Sequence, residues 1–388
     1  MAEALELWQM RASRVINLNT ASTGTGGITM TGCNGNLLDG AVLDQLGSLG
    51  GDPLVLRDDG TINGSGDNLI RRVRTKGGNS GISITGMGGN NTLVDVTVEQ
   101  AAETGLLVDL NDVAVRMKDV RVFESGLGMH IRARLAQLDG LTAGNNNGGG
   151  IEFAQLVSSR VANVLAVHNG GEGVRLYTSN NNVLMAVGAH NNGGTGIYLE
   201  GSSDNTIMAA AALNNVQHGV AITTTGFAAV IPADRNFFHN VASVANGGHG
   251  YFLVDSYNNT FSGWVVTGGT TNTMGPCSVS GGASQGLFGT ATNNFLCSIN
   301  GGSSATLDPS GQVAVVGQVD DAANGQGQLG PVLWDNVLDF GTFAAGGRTW
   351  GRASSNVFPN VDQRGNCGRT MNCSIWDQDR KSTRLNSS

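Results

Sequence analysis

The sequence has little of what most globular folds are built from. Six prolines and 13% charged residues in 388 are too few for a disordered or polyproline chain, which needs high charge and low hydrophobicity. Aromatics make up only 5%, so no core of large rings fills the interior. No apolar run reaches the roughly 18 residues that a membrane span requires, which leaves no bilayer insertion to expect. Basic residues do not dominate: the formal charge is −8, which disfavours general attraction to nucleic acid. Cysteine is scarce too, and the five present show no C-x-x-C metal spacing.

What is abundant is glycine, 60 residues, together with asparagine. Both tolerate positive φ, so the chain turns often around a core of small and branched aliphatics. A tetrad of Gly, apolar, any residue, apolar recurs at Gly81, Gly105, Gly128, Gly150, Gly173, Gly196, Gly219 and Gly250, at intervals of 24, 23, 22, 23, 23, 23 and 31. Gly27-Ile28-Thr29-Met30 is an earlier, less regular copy. Apolar alternation such as Val94, Val96 and Val98 fits strands, and the Gly/Asn turns leave no room for helices. At about 3.3 Å per residue, one period makes three short strands and three turns, which stack on the next coil at about 4.8 Å. The expected fold is therefore all-β, a single-stranded parallel β-solenoid.

Two asparagine sets recur with the period. Asn91, Asn182, Asn205, Asn236 and Asn259 precede apolar runs, and Asn145, Asn169, Asn191, Asn214 and Asn246 lie shortly before the tetrads. Stacked amides are expected to hydrogen-bond up the solenoid and satisfy buried backbone groups. The tetrad glycines are expected to resist substitution wherever they need positive φ.

The pattern G-[IV]-x-[IL]-x-x-S-x-x-N-x-[IV], seen in Gly196-Ile197-Tyr198-Leu199 with Ser202, Asn205 and Ile207, resembles the right-handed parallel β-helix repeat of the pectate-lyase-like superfamily. The resemblance spans roughly residues 25 to 300. It implies the fold far more specifically than the activity, since the superfamily includes polysaccharide lyases, glycoside hydrolases, alginate epimerases, phage tailspikes and periplasmic proteins tied to copper-enzyme maturation. The sequence has no Asp-Pro-His-Asp run like that of alginate epimerases. It also has no Asp cluster like the calcium site of pectate lyases and no paired-Asp motif of polygalacturonases. No cofactor and no metal site are expected; calcium has no motif in its support, and His218 with His249 is a pair that could meet on a metal.

The organisation expected is an N-terminal cap over 1–20, the β-helix over 21–304, an aromatic-rich capping region over 305–378 and a tail over 379–388. Ala4, Leu5 and Trp8 sit at helical spacing and predict a short capping helix. Cys277 with Cys297, and Cys367 with Cys373, are expected to form disulfides, which implies an oxidising compartment. Met1 to Arg11 carries Glu3 and Glu6 where an export signal carries basic and apolar residues. An extracellular or periplasmic location therefore requires a truncated start. The last ten residues, Asp379 to Ser388, resemble a translated sequencing adapter and are set aside. The insertion in the 31-residue interval, Thr224 to Asp234, is expected to project as a loop.

In each tetrad the second and fourth residues point inward, so the third residue and the one after the fourth face water. The outward ladders gather His130, Glu152, Arg175 and Glu200 as catalytic candidates. Asp109, Arg132, Tyr177 and Tyr198 are candidate substrate-binding residues. Aromatic faces stack on pyranose rings, and Arg and carboxylates bind hydroxyl or uronate groups. Lyases and epimerases acting on uronates need a base and a cation, whereas a hydrolase needs two carboxylates about 5–9.5 Å apart. Glu152 and Glu200 lie two coils apart, about 9.6 Å along the axis at the spacing of stacked strands. Basic residues are dense between Arg71 and Arg134, which favours an anionic polymer, although acidic residues interleave. His168 with His190, and His218 with His249, are expected to stack approximately on neighbouring coils. The expected partner is a polysaccharide bound by a monomer, with cleavage or epimerisation as the activity. The alternative is a non-catalytic extracellular adhesion or structural module.

Overall fold

The computed structural model describes most of residues 5–262 and a few short strands beyond. Gaps fall at 22–25, 46–50, 61–63, 111–112, 226–230 and 248–250, and at a few single positions. Every named element among the described residues is a β-strand. The chain divides into two compact units, Met1–Gly194 and Thr195–Ser388, and the described residues of each form right-handed parallel β-helix coils.

In the first unit, one sheet runs through Leu5–Trp8, Ile28–Thr31, Leu54–Arg57, Ser80–Gly86, Thr104–Leu110, Leu127–Arg132, Ile151–Ala154 and Val174–Tyr177, paired in parallel. The other sheet includes Leu69–Gly77, Asn91–Glu99, Val115–Phe123, Gln137–Gly144, Arg160–Val167 and Val183–His190. Each of these longer strands folds at a left-handed residue in its middle: Arg72, Asp95, Asp119, Gly140, Asn163 and Ala186, with φ of 51° to 71°. Register resumes on either side of that corner, as in Val94 opposite Lys118 and Val96 opposite Val120. One long strand is thus two short ones around a bend, so each coil holds the three strands the period predicts. A non-glycine residue in that region costs about 1 kcal/mol or more, and parallel pairing on both flanks offsets it.

The core is a set of vertical columns. Ile82, Leu106, Met129, Ile151 and Val174 stack in register on the first sheet. Ile84, Val108, Ile131, Phe153 and Leu176 form the next column, and all ten are at most 1% exposed. Each such burial contributes roughly 1.5–3 kcal/mol.

The tetrad glycines owe their identity to space, not torsion. Gly81, Gly105, Gly128 and Gly150 are not among the positive-φ glycines. A Cβ on Gly105 would overlap Val122 Cγ1 and lie 2.8 Å from the Gly128 carbonyl oxygen. A Cβ on Gly150 would lie 2.6 Å from the Gly173 carbonyl oxygen and 2.7 Å from Asn169 Nδ2. The glycine column therefore lets one sheet close onto the column of Val98, Val122, Ala143 and Ala166.

Two amide ladders hold the turns. Asn36 Nδ2 donates to Asn68 Oδ1 and Asn68 Nδ2 to Asn91 Oδ1, each at 3.0 Å. In the other ladder Asn146 Nδ2 donates to Asn169 Oδ1 (2.8 Å) and Asn169 Nδ2 to Asn192 Oδ1 (2.9 Å), all three nearly fully buried. The second sequence set mixes two roles here. Asn145 and Asn191 are left-handed turn residues with φ of 55° and 56°, and the buried ladder runs one residue later, through Asn146 and Asn192. Serine substitutes in the same corners, where Ser159 N–H donates to Asn182 Oδ1 and Ala136 N–H to Ser159 Oγ.

The N-terminal helix expected from Ala4, Leu5 and Trp8 is a strand instead: Leu5–Trp8 pairs with Ile28–Thr31. Edge pairing satisfies its backbone, and Trp8 is left 53% exposed. Cys33 is buried; Cys277, Cys297, Cys367 and Cys373, and the regions 305–378 and 379–388 apart from the strand Val313–Val315, lie outside the described residues.

The second unit repeats the design. Ile197–Glu200, Val220–Thr223 and Tyr251–Val254 form one sheet, with Thr206–Leu213, Phe237–Val244 and Thr260–Ser262 in the other. Asn205, Asn236 and Asn259 form its amide ladder at 3.0 Å steps. At the insertion, Thr225 and Ile231 form an antiparallel bridge, and 226–230 lie outside the described residues.

Two stability outcomes follow. Gly105→Val should lower unfolding stability by about 1–3 kcal/mol, the usual range for overpacking a filled core, read as a lower thermal midpoint. Asn169→Ala should cost a similar 1–3 kcal/mol because it strands the Asn146 amide and the Ala143 carbonyl; an unchanged midpoint would show that the ladder is dispensable.

Candidate functional site

The alternation of buried and part-exposed positions holds in the tetrads from Gly105 to Leu176, while Ser83 and Ala154, expected to face water, are each only 7% exposed. Register places Ser83, Leu107, His130, Glu152 and Arg175 over one another, and Thr85, Asp109 and Arg132 beside them.

Glu152 is the centre of this face. Its Oε1 lies 2.9 Å from His130 Nδ1 and its Oε2 accepts from Arg175 Nη1 at 2.9 Å. The three side chains are only 20–30% exposed. The bond to His130, with the Arg175 guanidinium beside it, outweighs burial and holds the Glu152 carboxyl below its ordinary value of 4.5. An ionised carboxylate only accepts, so the proton on His130 sits at Nδ1 and the neutral ring keeps Nε2 as its basic nitrogen. The Arg175 guanidinium also stacks over Tyr177, 4.9 Å from the ring centroid.

Asp109 and Arg132 pair separately at 3.2 Å, both more exposed. Tyr198 and Glu200 belong to the second unit. There Tyr198 Oη lies 3.0 Å from Thr223 Oγ1, and Glu200 Oε1 accepts from Thr225 Oγ1 at 2.9 Å, at the root of the insertion. The structure thus assembles His130, Glu152, Arg175 and Tyr177 into one cluster, and engages Glu200 with the insertion.

Five of the nine basic residues between Arg71 and Arg134 are paired with a carboxylate. Arg71 and Arg72 both bind Asp39 at 2.6–2.7 Å, and the Arg72 bond above all holds that carboxyl at about 2. Arg74 pairs with Glu99 and Arg121 with Asp95. Asp39 was not singled out by sequence, because it lies 32 residues before Arg71, in a coil longer than the others. His218 stacks on Phe252 with centroids 4.2 Å apart, and His249 lies outside the described residues. His168 N–H donates to the His190 carbonyl, and burial lowers the pKa of the His190 ring. Among the described residues no group of three or more His, Cys, Asp or Glu is placed to hold a metal ion, and no helix is long and apolar enough to cross a membrane.

Residues 80–232 match the family model described as the right-handed β-helix region, the stretch where the tetrads are most regular. Similar solved structures include the A-module of the mannuronan C-5 epimerase AlgE4 of Azotobacter vinelandii (12% identity, 76% of this chain and 78% of that one, TM-score 0.49). Others are the Dettilon tailspike protein gp208 (13%, 75% and 62%, TM-score 0.44) and PfbA, a surface adhesin of Streptococcus pneumoniae (11%, 63% and 62%, TM-score 0.34). These distant likenesses carry nothing about activity. The search of curated proteins returned no significant match.

The lowered Glu152 pKa sets a pH signature. A depressed folded pKa contributes stability that is present above the unfolded value and lost as pH falls through the folded one. Wild type should therefore exceed Glu152→Gln by about 1 kcal/mol at neutral pH. That gap should close as pH drops below 4.5, measured by chemical denaturation at both pH values.

Proposed function

We propose that the outward face of the first sheet binds an extended acidic polysaccharide and acts on it at a uronate ring. The observation that carries this is the His130–Glu152–Arg175 array. Glu152 fixes the imidazole and its tautomer, so Nε2 serves as the base that removes the proton at C5, next to the carboxylate. The guanidinium of Arg175, steadied on Tyr177, neutralises that carboxylate as charge develops. In the lyase outcome the C5–H electrons form the C4–C5 double bond while the C4–O bond breaks, and the leaving oxygen is protonated. In the epimerase outcome a proton returns to C5 from the opposite face. Hydrolysis fits less well, because a carboxylate held ionised by two partners is a poor proton donor. Asp109 and Arg132 are the proposed flanking contacts on this face, Tyr198 and Glu200 are separate candidates within the second unit, and the protein is proposed to work outside the cytoplasm as a monomer.

The second reading is a non-catalytic adhesion or structural module. It is favoured by the cross-strand pairing of each charge on the ladder, which is also how a solvated strand face is stabilised.

A panel of uronate and neutral polysaccharides separates the two. Ultraviolet absorbance of an unsaturated product reports lyase activity, and incorporation of deuterium at C5 from heavy water reports epimerisation. His130→Ala should lower turnover by 10²–10⁴-fold, the usual contribution of a general base, while leaving binding within a few-fold. No turnover with retained binding would establish the second reading. Unchanged glycan binding after alanine at both Glu152 and Arg175 would remove the first sheet from recognition altogether.

A further inference from the structure

The second sheet of the first unit carries a groove of about 730 Å³ on its outer surface. Arg116, Lys118 and Arg160 line it, all three exposed. Register fixes their arrangement: Arg116 lies opposite Gln137, which lies opposite Arg160, and Lys118 lies opposite Asp139. Arg116 and Arg160 are therefore two coils apart, about 9.6 Å along the stack at the usual strand spacing, with Lys118 on the strand of Arg116.

These cations differ from those around them. Arg71, Arg72, Arg74, Arg121, Arg132 and Arg175 each hold a carboxylate. Arg116, Lys118 and Arg160 hold none among the described residues. The one acid in the groove, Asp139, accepts instead from Asn163 Nδ2 at 2.7 Å. Three cations against the single carboxylate of Asp139 leave the groove with a net positive potential, and an anion entering the groove lowers it.

We infer that this groove is a second binding surface, separate from the His130–Glu152–Arg175 face, and that its ligand is a linear anionic glycan carrying carboxylate or sulfate groups. The spacing of cations in whole-coil steps suits a polymer that repeats its charge at ring intervals. No aromatic side chain lines the groove, so neutral pyranose rings find no stacking surface and recognition falls to charge. The same absence, with the net charge of −8 on the chain, turns the reading away from single-stranded nucleic acid, whose binding relies on base stacking. Gln137 and Asn163 supply neutral hydrogen-bonding groups beside the cations.

The test uses the full chain and the triple variant Arg116→Gln/Lys118→Gln/Arg160→Gln. Polygalacturonate and dextran sulfate serve as acidic probes, dextran as the neutral one and poly(dT) as the nucleic acid. The three positions are exposed, so the variant should unfold at the wild-type midpoint; Arg134→Gln controls for loss of an exposed cation elsewhere. Wild type should bind an acidic probe more weakly as salt rises and should not bind dextran. The triple variant should lose at least tenfold in affinity, with Arg134→Gln unchanged. Arg175→Ala separates this surface from the first sheet. If Arg175→Ala abolishes binding while the triple variant binds as wild type, the groove is overturned and the first-sheet reading stands. If the triple variant loses binding and Arg175→Ala retains it, the groove stands alone. Equal binding of dextran, or tighter binding of poly(dT) than of either acidic glycan, overturns the proposal as well.

Discussion

Everything in this chain depends on one vertical constraint: each coil must set its atoms directly over those of the coil before. Parallel pairing at about 4.8 Å satisfies strand backbones, but the corners have no strand partner and would bury polar groups unpaired. The asparagine ladders answer that need. Asn169 is both acceptor for the coil before it and donor to Asn192 in the next, so one residue type repeated at one position closes a corner indefinitely. The glycine column meets the same constraint from the other side, since the sheets approach too closely at Gly105 and Gly150 for any side chain.

The constraint also makes the site. A solenoid has no pocket that folds around a substrate, so its reactive groups must come from consecutive coils in register. His130, Glu152 and Arg175 are 22 and 23 residues apart, yet they meet at hydrogen-bonding distance because the stack superimposes them. The order matters. With the carboxylate in the middle, both neighbours draw on it and hold its pKa down, which is why the chemistry proposed for the face is that of a base and a cation.

The repeat was legible because a buried aliphatic column and a glycine column impose strict residue types at a fixed interval. Inward and outward positions followed directly, and so did the composition of the His130–Glu152–Arg175 ladder. Other features escaped for physical reasons. Four of the left-handed corners carry Asp, Asn or Gly (Asp95, Asp119, Gly140 and Asn163), the types that tolerate positive φ, but Arg72 and Ala186 do not, so residue type announces the corner only in part. Asn145 and Asn146 are adjacent and chemically identical, and only burial separates a turn residue from a ladder residue. Leu5 and Trp8 share helical spacing by chance of a four-residue stretch, too short for periodicity to decide between helix and edge strand. The partners of the basic run were hidden because Asp39 reaches Arg71 and Arg72 across a coil of irregular length, and Arg116 and Arg160 become neighbours of one groove only once the register is known.

The excursion between Glu200 and Asn236 bears on how such a chain changes over generations. Asn205 and Asn236 are 31 residues apart instead of 23, yet Asn205 Nδ2 still reaches Asn236 Oδ1 at 3.0 Å, and Asn236 passes the bond on to Asn259. Thr225 and Ile231 bridge in antiparallel sense at the two sides of the added residues, and the ladder above keeps its step. Length added at that port leaves the amide bonds on either side of it intact. New surface can thus be tried without renegotiating the interior.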